Sequence, residues 1–214
     1  MKILIYGAGK IARTIMEKIH NAKFIVVEND DIKSQKIASL FPNAKVFSGD
    51  CINSQVTHNA GLDSADVVIA ATDDDSINIA AAVYARRFVQ NVIAVIQKEE
   101  FSEVLKQIGI LPLQPNETAG KTCVFYLKYP LIYDLIHIDD VGYRMIEINI
   151  DDEFKPLKLK DLPDKVGLVA AIYRNKTFIK LNENTDIKNN DCVLVIFDMK
   201  DCCEEVYKFW KFED

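Results

Sequence analysis

The sequence predicts an α/β fold in two parts: a doubly wound parallel sheet over residues 1–135, then a small α+β unit over 142–214. Three observations carry that reading. The apolar run Ile3 to Ile5 leads straight into a glycine turn and then an amphipathic helical pattern. Apolar runs and helical patterns go on alternating through the first part, which calls for crossover connections between parallel strands. Beyond residue 142 the period falls to two, and short strands follow one another through turns.

The elements follow in order. In the first part, strands are expected at 3–5, 24–27, 44–47, 66–71, 91–96 and 110–113. The runs at 66–71 and 91–96 are apolar almost throughout, as strands buried on both faces are. Helices are expected at 11–20, 32–41, 54–59, 76–88 and 99–108, with a further one at 118–129 that stops before Pro130. In the second part, residues 143–150 alternate in strand fashion and 158–162 read as a short helical turn. Strands follow at 168–173, 177–181 and 192–197, with Arg174-Asn175-Lys176 as a compact hairpin turn. A last helix is expected over 201–212, with Val206, Phe209 and Trp210 on one face.

Composition excludes several function classes. Residues 1–140 hold 14 basic and 17 acidic side chains and the remainder 12 and 15, so each part carries half of the net charge of −6. With no basic stripe, binding of nucleic acid through its phosphate backbone is not expected. No run reaches the ~18 apolar residues of a membrane span, and a strand at the very start leaves no room for a signal peptide. The five cysteines, at 51, 123, 192, 202 and 203, form no C-x-x-C pair, and the three histidines are scattered. Reduced thiols in a cytoplasmic protein and no metal site are the expectation.

The glycine turn is the most specific motif. Gly7-Ala8-Gly9-Lys10-Ile11-Ala12 is a G-x-G-x-x-A between a strand and a helix, the arrangement of a Rossmann-like dinucleotide-binding unit. Gly7 allows a tight turn, and Gly9 lets backbone approach a pyrophosphate. Ala12 keeps the helix close to the strand, and the helix start offers free N–H groups to phosphate. Glu28 ends the second strand 19 positions after Gly9, close to the spacing at which an acid meets ribose hydroxyls. An acid there favours a free 2′-OH, and so NAD(H) or an adenosine phosphate over NADP. The plain alternative is a solvated residue after a strand. Two other strings mislead. Gly120-Lys121-Thr122 resembles a P-loop end, but the required first glycine is Pro115. Tyr207 and Lys211 have the spacing of a reductase proton relay, yet they lie far from the glycine turn. Asp73-Asp74-Asp75 reads as a solvated loop and helix N-cap.

Taken together, these motifs resemble the RCK-type regulatory subunits of Trk and Ktr potassium-uptake systems. Residues 1–135 are similar to a TrkA N-terminal domain through the glycine turn, Glu28, Gly49-Asp50 and Ala71-Thr72-Asp73-Asp74-Asp75 with Asn78. Residues 144–197 are similar to a TrkA C-terminal domain through Pro156-Leu157, the hairpin at 169–175 and the stretch 185–195. The resemblance implies that Ala8, Gly9, Lys10, Ile11 and Ala12 line the phosphate side with Gly7, and that Glu28 and Asn29 take the ribose. Gly49, Asp50 and Cys51 would lie by the adenine, and Thr72 and Asp73 by the nicotinamide or the terminal phosphate. Lys10 either neutralises a phosphate or is a solvated helix-start lysine.

The sequence departs from the family at two points. Pro115-Asn116-Glu117 displaces by one an acid that supports a cation in some members, and Asn190-Asp191 stands for the usual Gly-Asp. Asparagine tolerates the left-handed backbone that glycine supplies, so the turn can survive.

The function implied is regulatory, with no catalytic residue. A cytoplasmic subunit binds NAD(H) or ATP/ADP and gates a membrane potassium-translocating partner, beside which it lies on the membrane. It forms a homodimer at least, and the family implies a tetrameric or octameric ring. The competing reading is an NAD-dependent oxidoreductase acting on a small substrate. That reading needs a proton-transfer residue near the nicotinamide, and the sequence shows none.

Overall fold

The structure, a computed structural model, describes residues 1–130, 132–133, 143–152, 154–198 and 203–210. The chain divides into two compact units, Met1–Thr122 and Cys123–Asp214. Residues 136–141, between the two expected domains, lie outside the described residues, as do both ends of the expected terminal helix.

The first unit is built on six strands: β1 (Lys2–Tyr6), β2 (Lys23–Glu28), β3 (Lys45–Ser48), β4 (Val67–Ala70), β5 (Asn91–Val95) and β6 (Ile110–Leu113). They pair only in parallel, in the order β3-β2-β1-β4-β5-β6. That is the order of a dinucleotide-binding sheet, with its switch of direction between β1 and β4. Between the strands run α1 (Lys10–Lys18), α2 (Asp31–Leu40), α3 (Ser54–Asn59), α4 (Asp75–Ala85) and α5 (Ser102–Gln107), and α6 (Pro115–Lys128) follows β6.

Alternate residues of the central strands face opposite cores. Ile3, Ile5 and Val26 pack with Ala12 and Met16 of α1 and Ile37 of α2. Leu4, Tyr6 and Val27 pack with Ala81, Ala82 and Ala85 of α4 and Leu105 of α5. Both faces are therefore dry, which is why these strands read as continuous apolar runs.

Three helices start where a short polar side chain can accept their free N–H groups. Asp30 accepts from Ile32 and Lys33, Asn53 from Gln55, and Asp74 from Ser76 and Ile77. The acidic run at 73–75 is therefore more than a solvated cap. Only Asp74 caps; the Asp75 carboxylate accepts from the Gln97 and Lys98 amides beyond β5. Helix α6 begins at Pro115, three residues before the expected start, because proline's fixed φ and missing N–H suit the first helical position.

The second unit has β7 (Tyr143–Asn149), β8 (Leu157–Lys158), β9 (Leu168–Arg174), β10 (Thr177–Phe178), β11 (Asp186–Ile187), β12 (Cys192–Asp198) and the helix α7 (Cys203–Trp210). Four strands form an antiparallel sheet in the order β10-β9-β12-β7, and β8 pairs with β11. The fold class is thus the expected one, a Rossmann-like α/β sheet followed by a small α+β unit. Residues 158–162 contribute a 3-10 turn at Leu159–Asp161 together with the end of β8. Between β9 and β10, Asn175 and Lys176 both take positive φ, 50° and 62°, the conformation of a two-residue hairpin turn.

Asn190 takes φ 66°, so the turn before β12 survives without glycine. Beside it, Arg174 grips Asp191 through two bonds of 2.6 and 2.7 Å and also donates to the Asp186 carbonyl at 2.8 Å. The Asp191 side chain is fully buried. Burial alone would raise its pKa, but the Arg174 hydrogen bond, the Lys188 amide and the nearby positive charges hold it below the ordinary value. Val206 and Trp210 of α7 complete this unit's core, and Trp210 Nε1–H donates to the Val166 carbonyl at 2.8 Å.

Candidate functional site

The carboxyl ends of β1, β2, β3 and β4 surround a cleft of about 200 Å³ at the topological switch point. Its lining brings together Gly7 and Gly9, Glu28 and Asn29, Gly49, Asp50 and Cys51, and Thr72 and Asp73. These residues are spread over four loops, and parallel pairing of the strands sets them side by side.

Gly7 turns the chain out of β1 with φ +99°, and its N–H donates to the Val27 carbonyl at 2.9 Å. A Cβ built on it would stand 2.7 Å from the Ala71 carbonyl oxygen, so only glycine fits. Gly9 is the N-cap of α1 and offers no side chain to cap it, and the first turn of α1 holds no acid. The first N–H groups of α1 are thus left to an outside acceptor, unlike those of α2 and α4.

Glu28 is buried, 7% exposed. Its Oε2 accepts from the Ala8 N–H at 2.6 Å and its Oε1 from the Asp30 N–H at 3.0 Å. The acid is therefore held in place at the end of β2 and is not a solvated strand end. On the opposite bank, Asn78 of α4 is buried and fixes Thr72. It accepts from the Thr72 amide at 2.8 Å and hydroxyl at 2.7 Å, and donates to the Thr72 and Val95 carbonyls at 3.0 and 2.9 Å. Cys51 is buried at the cleft wall, where burial and the Asp50 charge push its thiol up to about 11. It is a neutral, compact wall residue at neutral pH.

Four expected residues lie elsewhere. Ala12 is fully buried in the α1 core and Ile11 packs against the same core. Lys10 is exposed at the first position of α1 and does not border the cleft. Ala8 faces a neighbouring cavity while its amide serves Glu28.

The structure also adds residues. Val27, Ala71, Asp74 and Ile77 join the wall, and Lys33 of α2 reaches across the mouth. Its ammonium stands 3.1 Å from Asp73, whose hydrogen bond and charge hold the lysine pKa up. Both side chains are largely exposed, so the pair adds little stability. In the sequence Lys33 is an ordinary lysine on the helix that follows Glu28, and nothing there links it to Asp73.

Among the described residues no group of three His, Cys, Asp or Glu side chains converges as a metal site. Glu117, in the first turn of α6, pairs with Lys121 at 2.6 Å. No described helix is long and apolar enough to cross a membrane.

The family model of the TrkA-N domain matches residues 3–112, just over half of the chain. The Trk system potassium uptake protein TrkA homolog 1 of Methanosarcina mazei is 25% identical over 219 residues, covering 98% of this chain and 48% of that protein. The chain thus spans about half the length of that relative. It spans nearly all of the TrkA homolog of Pyrococcus abyssi, 24% identical over 224 residues, covering 97% of this chain and 96% of that protein. Among solved structures, the human SLO3 gating ring superposes with a TM-score of 0.65 at 11% identity, over 99% of this chain and 46% of that one. At that identity the likeness is one of fold.

Proposed function

The chain belongs to the TrkA-N domain family, and from that premise we propose that it is a nucleotide-sensing regulatory subunit of a potassium-uptake system, not an enzyme. The relatives described above are named as Trk system potassium uptake proteins. The observation that carries the reading is the placement of Glu28, buried and tied to the glycine turn at the switch point of the sheet.

NAD(H) is the ligand this arrangement favours. The pyrophosphate takes the uncapped start of α1 beside Gly9, and the adenosine ribose takes Glu28 with Asn29. Gly49, Asp50 and Cys51 form the adenine side, and Thr72 and Asp73 border the far end. ATP or ADP uses the same backbone contacts and is the second candidate.

Regulation then needs no bond to break. The subunit works in the cytoplasm as a homodimer or a ring of dimers, held at the membrane by its potassium-translocating partner. A nucleotide that binds one assembly state more tightly than another shifts their populations by its difference in affinity. Each tenfold difference moves the equilibrium by about 1.4 kcal/mol.

The test is sedimentation of the full chain with NAD, NADH, ATP and ADP, with potassium uptake measured in cells carrying the wild type or Glu28→Ala. A ligand-dependent change of assembly, lost with uptake control in the variant, is the expected result. Turnover of NADH with small carbonyl compounds would overturn the regulatory reading.

A further inference from the structure

The described lining of the cleft carries four carboxylates, Glu28, Asp50, Asp73 and Asp74, and one ammonium, Lys33. Three of the acids are held by backbone. Glu28 accepts the Ala8 and Asp30 amides, Asp50 that of Ile52, and Asp74 those of Ser76 and Ile77. Asp73 differs. Among the described residues its carboxylate accepts no amide, and its hydrogen-bond partner is the Lys33 ammonium at 3.1 Å. Its charge is thus balanced by a side chain that can swing away, not by fixed backbone dipoles.

The pair crosses the switch point of the sheet. Lys33 lies in α2, which follows β2, and Asp73 follows β4, while β2 and β4 flank β1. A sheet of this order holds the two halves of a dinucleotide on either side of that point, with the acid after β2 on the adenosine ribose. Glu28 marks the adenosine half, so Asp73 stands where the second nucleoside begins. Its side chain is 88% exposed and open to a ring placed there.

The two redox forms of a nicotinamide dinucleotide share their phosphates and riboses. They differ by one charge, because the oxidised ring is a cation and the reduced ring is neutral. A carboxylate beside that ring favours the oxidised form, and an ammonium disfavours it. An intact pair nearly cancels both effects.

We propose that Asp73 and Lys33 set the preference of the cleft between oxidised and reduced nicotinamide dinucleotide, Asp73 facing the ring charge and Lys33 serving as its counter-ion. That role rests on the nucleotide-binding reading and adds to it the residues that decide which redox form is held. No electron is transferred; the two forms are told apart by a difference of affinities.

The experiment is calorimetric titration of NAD and of NADH into the full chain. Wild type, Lys33→Met, Asp73→Asn and the double variant are compared, at low salt and at about 1 M salt, where charges are screened beyond ~3 Å. Both side chains are exposed, so the variants keep the fold. Lys33→Met uncovers Asp73 and should shift the ratio of the two affinities towards NAD by about threefold, the scale of an exposed charge interaction. Asp73→Asn uncovers Lys33 and should shift it towards NADH by a similar factor. The double variant should return to the wild-type ratio, and every shift should shrink at high salt.

If both nucleotides bind and the ratio is the same in all four proteins, the proposal is overturned while the nucleotide site stands. Shifts in the same direction in both single variants overturn it as well, since a pair that only braced the mouth would act alike from either side. If neither nucleotide binds the wild type, the nucleotide reading fails and this role falls with it.

Discussion

The Glu28 carboxylate accepts the Ala8 N–H at 2.6 Å, joining the last residue of β2 to the turn that follows β1. Two strands that lie side by side in the sheet are thereby also tied at their carboxyl ends, where the cleft opens. Because the second carboxylate oxygen holds the Asp30 amide, the acid is positioned before any ligand arrives. A group fixed in this way loses little freedom on binding, and that preorganisation adds to affinity.

Gly7 is the position where the glycine turn is least tolerant. Gly7→Ala forces a side chain into φ +99° and sets its Cβ 2.7 Å from the Ala71 carbonyl oxygen. Strained backbone of this kind costs about 1–3 kcal/mol, before the displacement of Ala71 is counted. Urea denaturation should show a midpoint lowered accordingly, and an unchanged midpoint would contradict the close packing of β1 against the end of β4.

Asn78→Leu should loosen the far bank of the cleft. It removes all four hydrogen bonds that hold Thr72 and Val95 and leaves buried backbone groups without partners, at about 1–3 kcal/mol each. Amide hydrogen exchange should quicken at residues 72–78 well before it does at β1. Uniform exchange across the first unit would show that Asn78 does not anchor this loop.

Asp191 makes the second unit sensitive to acid. Its folded pKa lies below the unfolded value of ~3.9, so its contribution to stability is complete above that value. The contribution is lost as pH falls through the depressed folded pKa. Asp191→Asn should cost about 3 kcal/mol at pH 7, the lower end for a broken buried pair, because Arg174 keeps 25% of its side chain in water. The variant should also lose less stability than the wild type below pH 4. Parallel acid-melting curves would contradict this assignment.

Legibility in the sequence followed locality. The glycine turn, Glu28 and the buried strands could be read because a turn, a spacing and an apolar run are properties of neighbouring residues. Asn190 could be read as a left-handed turn for the same reason. Strands β8 and β11 have two residues each, too few to show a period. The strand expected at 177–181 pairs only at Thr177 and Phe178, after which one amide, that of Ile179, still donates to Ile172.

Lys33 escaped notice because a lysine on a helix is ordinary, and its partner Asp73 stands 40 positions away. Arg13 and Lys36 share a cavity only because α1 and α2 cover the same face of the sheet. The three aspartates at 73–75 show the same limit. Their composition predicted a cap, and only tertiary structure separates a cleft ion pair, a cap and a brace to the end of β5.

The measurement that bears most directly on the central claim is calorimetric titration of NAD into the wild type and Glu28→Ala. On the proposed reading the carboxylate is the ribose acceptor, and removing it also frees the Ala8 amide. Binding should therefore weaken by about tenfold or more, equivalent to at least ~1.4 kcal/mol, with the variant still folded by circular dichroism. Equal affinity in the two proteins, or no binding of NAD, NADH, ATP or ADP to the wild type, would contradict a nucleotide site at the end of β2.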